Sequence, residues 1–575
     1  MKKALSILLT AVLLLSLLIG CGDSASSQET SSIQAETSTI TETVSVEPSA
    51  PAEDTVEEAV PSAQEPEEET AAASISYPID TDVTLTLFDQ FNSMNASDLC
   101  EGFADSWFWQ TAQENTGISI DFVITSADAY STQFNLVIAS GDYYDLMGGF
   151  GQYYSGSIDA AVDEGIILDI ATLSESCPDY IRVLGNNDGQ YLRDAETDTG
   201  VIGAFYTIDD TPQAVDQGLY VRQDWLDDLG MDAPVTIDQF TETLKAFKTE
   251  KGAAQPLYLG STMGASYMSC YDIGALYDTM GGVPLMQIDG TIYMQCLTDG
   301  FKDVLTMMHG WYEDGLISND FANQDDNALM TSQAMSEALL NGQSGVVFGS
   351  TNTTTDLEEQ ARTLDDNWAF NPIANPVLEE GQTLHIGVAP LSNVDGNGYA
   401  ISGTCADPEI AAMFCNYFYT DEGCMLRSFG QQGTTYEIGQ DGEPYFTEYF
   451  FANEDYSRGQ VMSNYFLASN VGLIYANRFL STKHERTQEF MDCWASNYDC
   501  EYNLNSHYSM TTEENDTYTG LLGDLSTSLQ ENVLKFITGD RSLDEIDAFQ
   551  QEMRDMGAEE LVEVVQAAYT RYLAR

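Results

Sequence analysis

The fold class is decided by three stretches: Val83-Thr-Leu-Thr-Leu-Phe88, Ile118-Ser-Ile-Asp-Phe-Val-Ile124 and Ser140-Gly-Asp-Tyr-Tyr-Asp-Leu-Met147. The first two alternate apolar and polar residues, and the third is a turn that leads into a short apolar run, so each predicts a β-strand. A helical stretch around Trp107 separates the first two strands, and a helix around 130–139 precedes the third. This strand–helix–strand–helix–strand order predicts an α/β fold with a largely parallel sheet and helices on its faces.

Helix boundaries are marked further along the chain. Thr236 and Gln239 form a capping box, in which both side chains satisfy free backbone N–H groups of the first turn. Asp407-Pro408 places a capping residue and a first-turn proline before another helix, and Gly423 is expected to end it. Apolar positions in these helices repeat with helical spacing, so they predict core-facing stripes rather than a cofactor site.

Length and charge limit the function classes. A chain of 575 residues exceeds a single ordinary core, so at least two lobes are expected. The 92 Asp and Glu residues against 20 Lys and Arg give a formal net charge of −72. That charge argues against nucleic-acid binding, which needs a cationic face, and against docking on anionic lipid through a basic patch.

The N-terminus predicts export. Two lysines precede an almost unbroken apolar run, residues 4–19, which is short for a membrane-spanning helix but fits a signal peptide. Leu18-Ile-Gly-Cys21 resembles the bacterial lipobox, so residues 1–20 are expected to be a lipoprotein signal peptide. Cys21 would then carry the diacylglycerol and palmitate anchor; the alternative is a plain signal peptide with a chance cysteine. Residues 21–76 hold thirteen acidic residues and no basic ones, and this composition predicts a disordered linker.

Nine cysteines remain besides Cys21. None stands in a C-x-x-C pair, and no histidine lies beside them at zinc spacing, so a structural metal site is not expected. Cys415 with Cys424, or Cys493 with Cys500, can form local disulfides, which export permits. Most of the nine also stand in apolar patterns, so buried free thiols are the alternative.

Six motifs, in chain order, resemble those of one protein family. They are Ala139-Ser-Gly-Asp-Tyr-Tyr-Asp145, Gly218-Leu-Tyr-Val-Arg-Gln-Asp-Trp-Leu-Asp-Asp-Leu-Gly230, Trp311-Tyr-Glu-Asp-Gly-Leu-Ile317, Asn416-Tyr-Phe-Tyr-Thr-Asp-Glu-Gly423, Lys535-Phe-Ile-Thr-Gly539 and the terminal Tyr569-x-Arg-Tyr572. The first departs from the family pattern in having Tyr144 where a proline is usual. Together they resemble the extracellular solute-binding lipoproteins of bacterial ABC importers, in the large oligosaccharide-binding branch related to maltodextrin- and alginate-oligosaccharide-binding proteins. The resemblance covers residues 77–575.

The resemblance implies a type II periplasmic-binding-protein-like fold, in which two α/β lobes joined by a hinge hold the ligand in the cleft between them. Aligning the motifs predicts a first lobe of residues 77–217 and 397–440. The second lobe is then 218–396 and 441–575, with the C-terminal helices. The resemblance also implies the partners: an oligosaccharide ligand and the permease subunits of an ABC transporter. The anchor places the protein on the outer face of the cell membrane, with a Gram-positive surface favoured.

Candidate ligand-binding residues follow from sugar chemistry. Sugar rings need flat aromatic platforms, together with carboxylates and amides that hydrogen-bond their hydroxyls. Open α/β sheets bind ligands in loops at the carboxyl ends of their strands. The predicted ligand-binding residues are therefore Asp89, Asn92, Trp107, Phe150, Tyr153, Tyr154 and Tyr206, together with Phe348, Ser350 and Asn352, which lie where the family carries ligand-facing residues. Each can instead have a structural role, and Arg222 with Asp224 is expected to form an internal ion pair.

No motif supports catalysis. The four histidines stand in no catalytic pattern, and there is no P-loop and no dinucleotide-binding glycine pattern. We therefore expect no catalytic residue, no cofactor and no metal, including no calcium loop after Leu244-Lys-Ala-Phe-Lys248, where many large relatives carry one. Two alternatives remain: a surface protein that binds a peptide or another non-sugar solute, and an exported glycoside hydrolase with paired carboxylates.

The charge of the exported body bears on the ligand. Beyond residue 76, 79 acidic residues stand against 18 basic ones, so the linker contributes little of the charge. A cleft in such a field disfavours uronate and sulfated glycans. We therefore expect a neutral oligosaccharide.

Overall fold

The computed structural model describes residues 75–91, 96–209, 215, 217–260, 267–278, 281–324, 333–350, 357–358, 360–387, 392–451, 453, 455–466, 469–475 and 486–575. The predicted lipidation site Cys21, the signal peptide 1–20, the linker 21–76 except its last two residues, and the candidates Asn92 and Asn352 lie outside these ranges.

The described residues form thirteen strands and eighteen α-helices. The strands are β1 (Thr84–Phe91), β2 (Ser119–Ser126), β3 (Leu146–Gly148), β4 (Phe205–Asp209), β5 (Gln217–Arg222), β6 (Leu285–Ile288), β7 (Thr291–Met294), β8 (Val346–Ser350), β9 (Phe370–Ile373), β10 (Val394–Ile401), β11 (Tyr436–Ile438), β12 (Pro444–Phe446) and β13 (Gly472–Ile474). The helices are α1 (Trp107–Thr116), α2 (Ala127–Ser140), α3 (Phe150–Tyr153), α4 (Ile158–Asp163), α5 (Pro178–Leu184), α6 (Gln190–Ala195), α7 (Gln223–Leu229), α8 (Ile237–Glu250), α9 (Asp299–Glu313), α10 (Gln333–Leu340), α11 (Pro408–Tyr417), α12 (Asp421–Phe429), α13 (Glu448–Phe451), α14 (Arg458–Tyr465), α15 (Thr487–Trp494), α16 (Thr512–Thr538), α17 (Ile546–Asp555) and α18 (Ala558–Tyr572).

A six-stranded sheet in the order β13-β4-β10-β3-β1-β2 is the centre of the first lobe. β1 pairs in parallel with β2 and with β3, and β13 pairs in parallel with β4. β10 returns antiparallel between β3 and β4. The three strands predicted from sequence are present, and the largely parallel sheet with flanking helices is confirmed.

The core of the first lobe lies between this sheet and its helices. Leu85 and Leu87 of β1 are buried, and α1 covers the sheet with Phe108 and Trp109, both fully buried. Trp109 stacks on Phe414 of α11, with ring centroids 6.4 Å apart. This packing joins the N-terminal helix to the part of the chain that returns after residue 392.

A smaller antiparallel sheet, β8-β5-β9, belongs to the second lobe. Its core is built with α8, α9 and the C-terminal helices α16 to α18, through apolar side chains that are almost fully buried, among them Phe240, Leu305, Leu529 and Val565. The capping box at Thr236 and Gln239 is confirmed, because both of its hydrogen bonds form at the start of α8.

The described residues alternate between the lobes along the chain. The described residues within 75–209 and 392–475 lie with the six-stranded sheet, whereas those within 217–387 and 486–575 lie with the three-stranded sheet. Residues 441–475 were predicted to lie in the second lobe, but β13 in this stretch extends the first sheet by pairing with β4. The exact lobe boundaries stay a prediction, since residues 210–214, 388–391 and 476–485 are outside the described ranges.

One helix boundary differs from its prediction. Gly423 was expected to end the helix that begins at Pro408, but α11 ends at Tyr417 and Gly423 lies in the first turn of α12. The Thr420 hydroxyl accepts a hydrogen bond from the Gly423 N–H at 3.1 Å and so begins the new helix. A Cβ on Gly423 would lie 1.9 Å from the Tyr417 carbonyl oxygen, so close packing of the two helices requires glycine here.

The described helices and cysteines bear on the predictions of membrane attachment and of disulfides. Among the described residues, no helix combines the length and the apolar character needed to span a bilayer. The nine cysteines in the described part form no disulfide with one another, and six of them are buried, which agrees with the buried-thiol alternative.

Candidate ligand-binding site

Five strands of the first sheet end at one edge. β1, β2, β3, β4 and β13 run in the same direction, so their carboxyl ends lie together. Open α/β sheets bind ligands at this edge. A pocket of about 420 Å³ lies between the turn after β3 and residues 506–518 of the second lobe. Both lobes contribute walls to this pocket, which we call the interlobe pocket.

Hydroxyls, carboxylates and small residues line the interlobe pocket. Its lining includes Gly151, Ser157, Asp194, Glu196, Thr197 and Tyr206 from the first lobe, and His507, Tyr508, Asn515 and Tyr518 from the second. No lysine or arginine is among the lining residues in the described part of the chain. Such a set can stack on the apolar face of a sugar ring and hydrogen-bond its hydroxyls, and it offers no cation to an anionic ligand.

Among the predicted residues that the structure describes, Tyr206 is the one that lines the interlobe pocket. It lies on β4, where its backbone carbonyl accepts a hydrogen bond from the Tyr419 hydroxyl. Burial raises the pKa of Tyr206 to about 12. Its hydroxyl therefore stays protonated at neutral pH and can both donate to and accept from a ligand.

Two polar residues of the pocket are held by the surrounding chain. The Asp194 carboxylate accepts hydrogen bonds from Tyr572 at 2.6 Å, from Gln190 at 2.7 Å and from Ser392 at 2.6 Å. Burial lowers the pKa of His507, and the nearby carboxylates of Asp194 and Asp395 oppose this shift only in part. The imidazole is therefore neutral at neutral pH. The pocket thus presents a neutral ring nitrogen and an anchored carboxylate.

Trp107 belongs to a second aromatic surface at the same edge of the sheet. It begins α1, the first α-helix after β1, and it is partly exposed. Its ring lies 5.6 Å from that of Tyr465, which in turn lies 5.9 Å from Tyr449. We call these three partly exposed rings the Trp107 cluster. Asn464 helps to position α1, because its side-chain oxygen accepts a hydrogen bond from the backbone N–H of Trp107 at 3.0 Å.

Asp89 lies in the core rather than at the surface. Only 1% of it is exposed, and its carboxylate accepts hydrogen bonds from the Tyr399 hydroxyl and the Gln90 N–H, both at 2.8 Å. Burial raises the pKa of Asp89 to about 6, although both hydrogen bonds act in the opposite direction. In this structure Asp89 is therefore a buried group that joins β1 to β10.

The turn after β3 brings three predicted residues together with different exposures. Phe150 is 1% exposed and stacks on Tyr154, with ring centroids 4.8 Å apart, so it packs as a core residue. Tyr153 and Tyr154 are partly exposed, and the Tyr153 hydroxyl accepts a hydrogen bond from Gln90 at 3.1 Å. The residue of this turn that lines the interlobe pocket is Gly151, and none of the three aromatic side chains is among the lining residues.

The two described candidates of the second lobe lie on β8. Phe348 is partly exposed against the second core, and Ser350 is 5% exposed with its carbonyl accepting from the Tyr220 hydroxyl at 3.3 Å. Neither is among the residues that line the interlobe pocket. The internal ion pair expected for Arg222 and Asp224 is confirmed, with nitrogen–oxygen distances of 2.7 and 2.6 Å.

One group in the described part of the chain has the ligand types of a metal site. His385, Asp499 and Glu501 place their ligand atoms within 4.8 Å of one another on a largely exposed surface. However, the His385 Nδ1 atom lies 3.1 Å from both Asp499 oxygens, so a hydrogen bond between these two side chains accounts for the arrangement.

Sequence reasoning missed the aromatic residues that complete both surfaces. Tyr449 and Tyr465 lie in the stretch that returns to the first lobe, and Tyr508 and Tyr518 approach it from the second. None follows a predicted strand, so the strand-end rule did not select them. The density of tyrosine in 445–465 was the signal present in the sequence.

Comparison with known proteins gives curated relatives that match part of the chain. Lipoprotein LipO of Bacillus subtilis (strain 168) is 25% identical over 262 residues, which is 44% of this chain and 49% of that protein. The fructooligosaccharide ABC transporter substrate-binding protein FusA of Streptococcus pneumoniae serotype 4 is 21% identical over 274 residues, with the same two coverages. The match thus spans about half the length of these curated relatives.

The fold is also that of a solved binding protein. The alginate-binding protein AlgQ2, crystallised without calcium ion, has a TM-score of 0.69 at 18% identity, covering 86% of this chain and 99% of that one. This likeness confirms the two-lobed type II solute-binding fold. The model of the protein family described as "Bacterial extracellular solute-binding protein" matches residues 101–423, which are more than half of the chain. Members of that family bind substrates and are not enzymes, and the chain belongs to this family of bacterial extracellular solute-binding proteins.

Proposed function

We propose that the protein is the membrane-tethered binding component of an ABC transporter, which holds a neutral oligosaccharide between its lobes and delivers it to the permease. The observation that carries this proposal is the interlobe pocket itself. It has walls from both lobes, three tyrosines, and no lysine or arginine among its described lining residues. A ligand that contacts both walls favours the closed state, which is the ordinary mechanism of hinged binding proteins.

The relatives support the ligand class. FusA is described as a fructooligosaccharide-binding protein and has been crystallised with kestose, with a TM-score of 0.67 to this chain. AlgQ2 is described as an alginate-binding protein, and a third relative as binding polygalacturonan and rhamnogalacturonan. The last two ligands are anionic, so the relatives leave the charge of the glycan open. The acidic lining of the interlobe pocket favours a neutral one.

The Trp107 cluster extends the proposed site. Its rings lie at the carboxyl edge of the same sheet as the interlobe pocket, and stacking on partly exposed aromatic rings suits successive sugar residues. We assign Trp107 and Tyr206 as the predicted residues best placed to contact the glycan. Delivery to the permease requires the anchor at Cys21, and the lipobox in the sequence supports it.

A glycan panel tests the proposal. The purified protein is titrated by calorimetry with kestose and other neutral oligosaccharides, and with alginate and polygalacturonate oligosaccharides as the anionic set. We expect one neutral class to bind with a dissociation constant on the order of 1 μM, and to raise the melting temperature by mass action. Trp107→Ala should weaken that binding, whereas Tyr293→Ala, which removes an exposed aromatic ring from β7, should not.

Other outcomes identify the alternatives. Binding confined to the anionic set would refute the neutral-glycan assignment while keeping the family role. Binding of peptides but not glycans would indicate a non-sugar solute. Release of reducing ends from any glycan would indicate a hydrolase. Metabolic labelling with palmitate, compared with a Cys21→Ala variant, tests the anchor.

A further inference from the structure

The last helix of the chain contacts both lobes. Leu561, Val565 and Ala568 of α18 are fully buried, and the first two belong to the second-lobe core. Its last turn and the terminal Arg575 instead reach residues 193–198 of the first lobe. The Tyr569-x-Arg-Tyr572 motif, which resembles a family signature but has no role in the proposed ligand contacts, lies at this junction.

Two arginines converge on one first-lobe carboxylate. Arg571 donates to Asp198 at 2.6 Å, and Arg575 donates to the other oxygen of Asp198 at 2.8 and 2.9 Å. Arg571 also donates to both oxygens of Glu514 at 2.8 and 2.5 Å. Arginine–carboxylate contacts of this kind are the stronger class of protein hydrogen bonds. The network therefore links the first lobe, α16 and α18.

A second set of bonds lies beside the first. The Tyr572 hydroxyl donates to Asp194 at 2.6 Å, and Ser392, which leads into β10, donates to the other oxygen of Asp194 at 2.6 Å. Asp194 is 5% exposed, so water competes little for these bonds. The end of α18 is thereby joined to two separate segments of the first lobe.

The electrostatics agree with a stable junction. Burial alone would raise the pKa of Asp198, but hydrogen bonds from Arg571 and Arg575 outweigh it and lower that pKa. Hydrogen bonding from Arg571 lowers the pKa of Glu514 as well. The body has only 18 basic residues against 79 acidic ones, and two of them are committed to this junction.

The junction holds one wall of the interlobe pocket in place. Ser509, within the 506–518 wall, accepts a hydrogen bond from the Asp198 N–H at 3.0 Å and another from Arg575 at 2.7 Å. In the same wall, Asn515 donates to the Ser155 carbonyl at 2.8 Å. Asp198, Arg571 and Arg575 are not among the residues that line the pocket. They touch its wall rather than its interior.

We propose that Asp194, Asp198, Arg571, Tyr572 and Arg575 form an interlobe joint that sets the resting separation of the lobes, and through it the ligand affinity. Its effect on affinity rests on the proposed function; its effect on lobe separation does not. Asp198 and the two arginines are positioning residues, because they act through the 506–518 wall. Loosening the joint lowers the fraction of molecules whose pocket is assembled, and apparent affinity falls by that fraction.

The test compares Asp198→Asn with Asp224→Asn in the full chain without ligand. Both substitutions remove the carboxylate of a part-buried arginine pair, with the Asp side chains 18% and 14% exposed, but the Arg222–Asp224 pair lies within the second lobe. Lobe separation is measured by pulsed electron spin resonance between two nitroxide labels. The labels are attached to non-canonical residues that replace Leu136 and Leu364, which lie on different lobes and are 57% and 72% exposed. This labelling does not depend on cysteine and so avoids the nine cysteines of the described residues. Hydrogen exchange of residues 506–518 is measured in parallel.

We expect Asp198→Asn to broaden the interlobe distance distribution and to speed exchange in residues 506–518 about tenfold, as loss of charge-assisted hydrogen bonds predicts. Asp224→Asn should leave both readouts at the wild-type value. If Asp198→Asn does not fold, Tyr572→Phe removes only a hydroxyl and should change both readouts in the same direction. Wild-type distances and exchange in the folded joint variants would overturn the proposal.

The affinity readout separates this proposal from the proposed function. If the wild-type protein binds kestose or another glycan of the panel, Asp198→Asn should weaken that binding about tenfold without altering which glycan is preferred. If no glycan binds to the wild type, the proposed function fails, whereas the distance and exchange results still decide whether the joint exists.

Discussion

Replacing Asp89 with asparagine should stabilise the protein at neutral pH. The carboxylate is 1% exposed, and burial raises its pKa from 3.8 to about 6. Between pH 4 and 6 the folded state therefore keeps a proton that the unfolded chain has lost. Stability falls as the pH rises through this window, because the folded state must then accommodate a buried negative charge. Asparagine has the same shape and carries no charge.

The size of the effect follows from the two pKa values. The interval from 3.8 to about 6, at about 1.4 kcal/mol for each pH unit, corresponds to about 3 kcal/mol above pH 7. This is an upper value for Asp89→Asn, since the amide exchanges a charge-assisted hydrogen bond from Tyr399 for a weaker one. Below pH 4 the difference between variant and wild type should be close to zero.

Urea unfolding at several pH values between 4 and 8, followed by tryptophan fluorescence, measures this difference. Asp142→Asn, which removes an exposed carboxylate from the same lobe, controls for the general effect of lowering the negative charge. A stability difference that does not change with pH would refute the reasoning. So would destabilisation by Asp89→Asn at pH 7.5, which would mean that the buried carboxylate is favourably ionised.

Three further substitutions test the assignment of the aromatic and glycine positions. Trp107→Ala should weaken glycan binding at least about tenfold in calorimetry, equivalent to about 1.4 kcal/mol, because a partly exposed platform is lost; unchanged affinity would remove the Trp107 cluster from the site. Phe150→Ala should destabilise the first lobe by about 3–5 kcal/mol in urea unfolding, because it empties a core position; full stability with lost binding would instead place the ring in the cleft. Gly423→Ala should lower stability by about 2 kcal/mol, because its Cβ would meet the Tyr417 carbonyl at 1.9 Å; a wild-type midpoint would refute this close approach.

Local signals in the sequence were sufficient for much of the fold. The alternation of Val83–Phe88 and the capping box at Thr236 depend on neighbouring residues, and both appear in the structure as expected. The Arg222–Asp224 pair was also predictable, because two residues at a strand-to-helix turn are brought together by the backbone itself.

Features that depend on how one helix or strand packs against another were not predictable. Gly423 was read as a helix end because glycine usually is one, whereas here a close approach between α11 and α12 selects it. The pairing of β13 with β4 joins residues more than 260 positions apart, so no local pattern marks it. Strand-end position alone also did not distinguish buried Phe150 from partly exposed Tyr153.

The two tryptophans of α1 show the same limit. Residues two apart on a helix point in widely different directions, so one of Trp107 and Trp109 had to face the core. Which one did so depended on α11, where Phe414 stacks on Trp109. Tyr465, whose stretch also returns from a distant part of the chain, then covers Trp107 in part.

Calorimetric titration of the purified protein with the glycan panel, with product analysis on the same samples, tests the central claim most directly. The account predicts saturable binding of one neutral oligosaccharide class at about one ligand per chain, with the glycan recovered unchanged. Absence of binding to every neutral glycan, or appearance of new reducing ends, would contradict it.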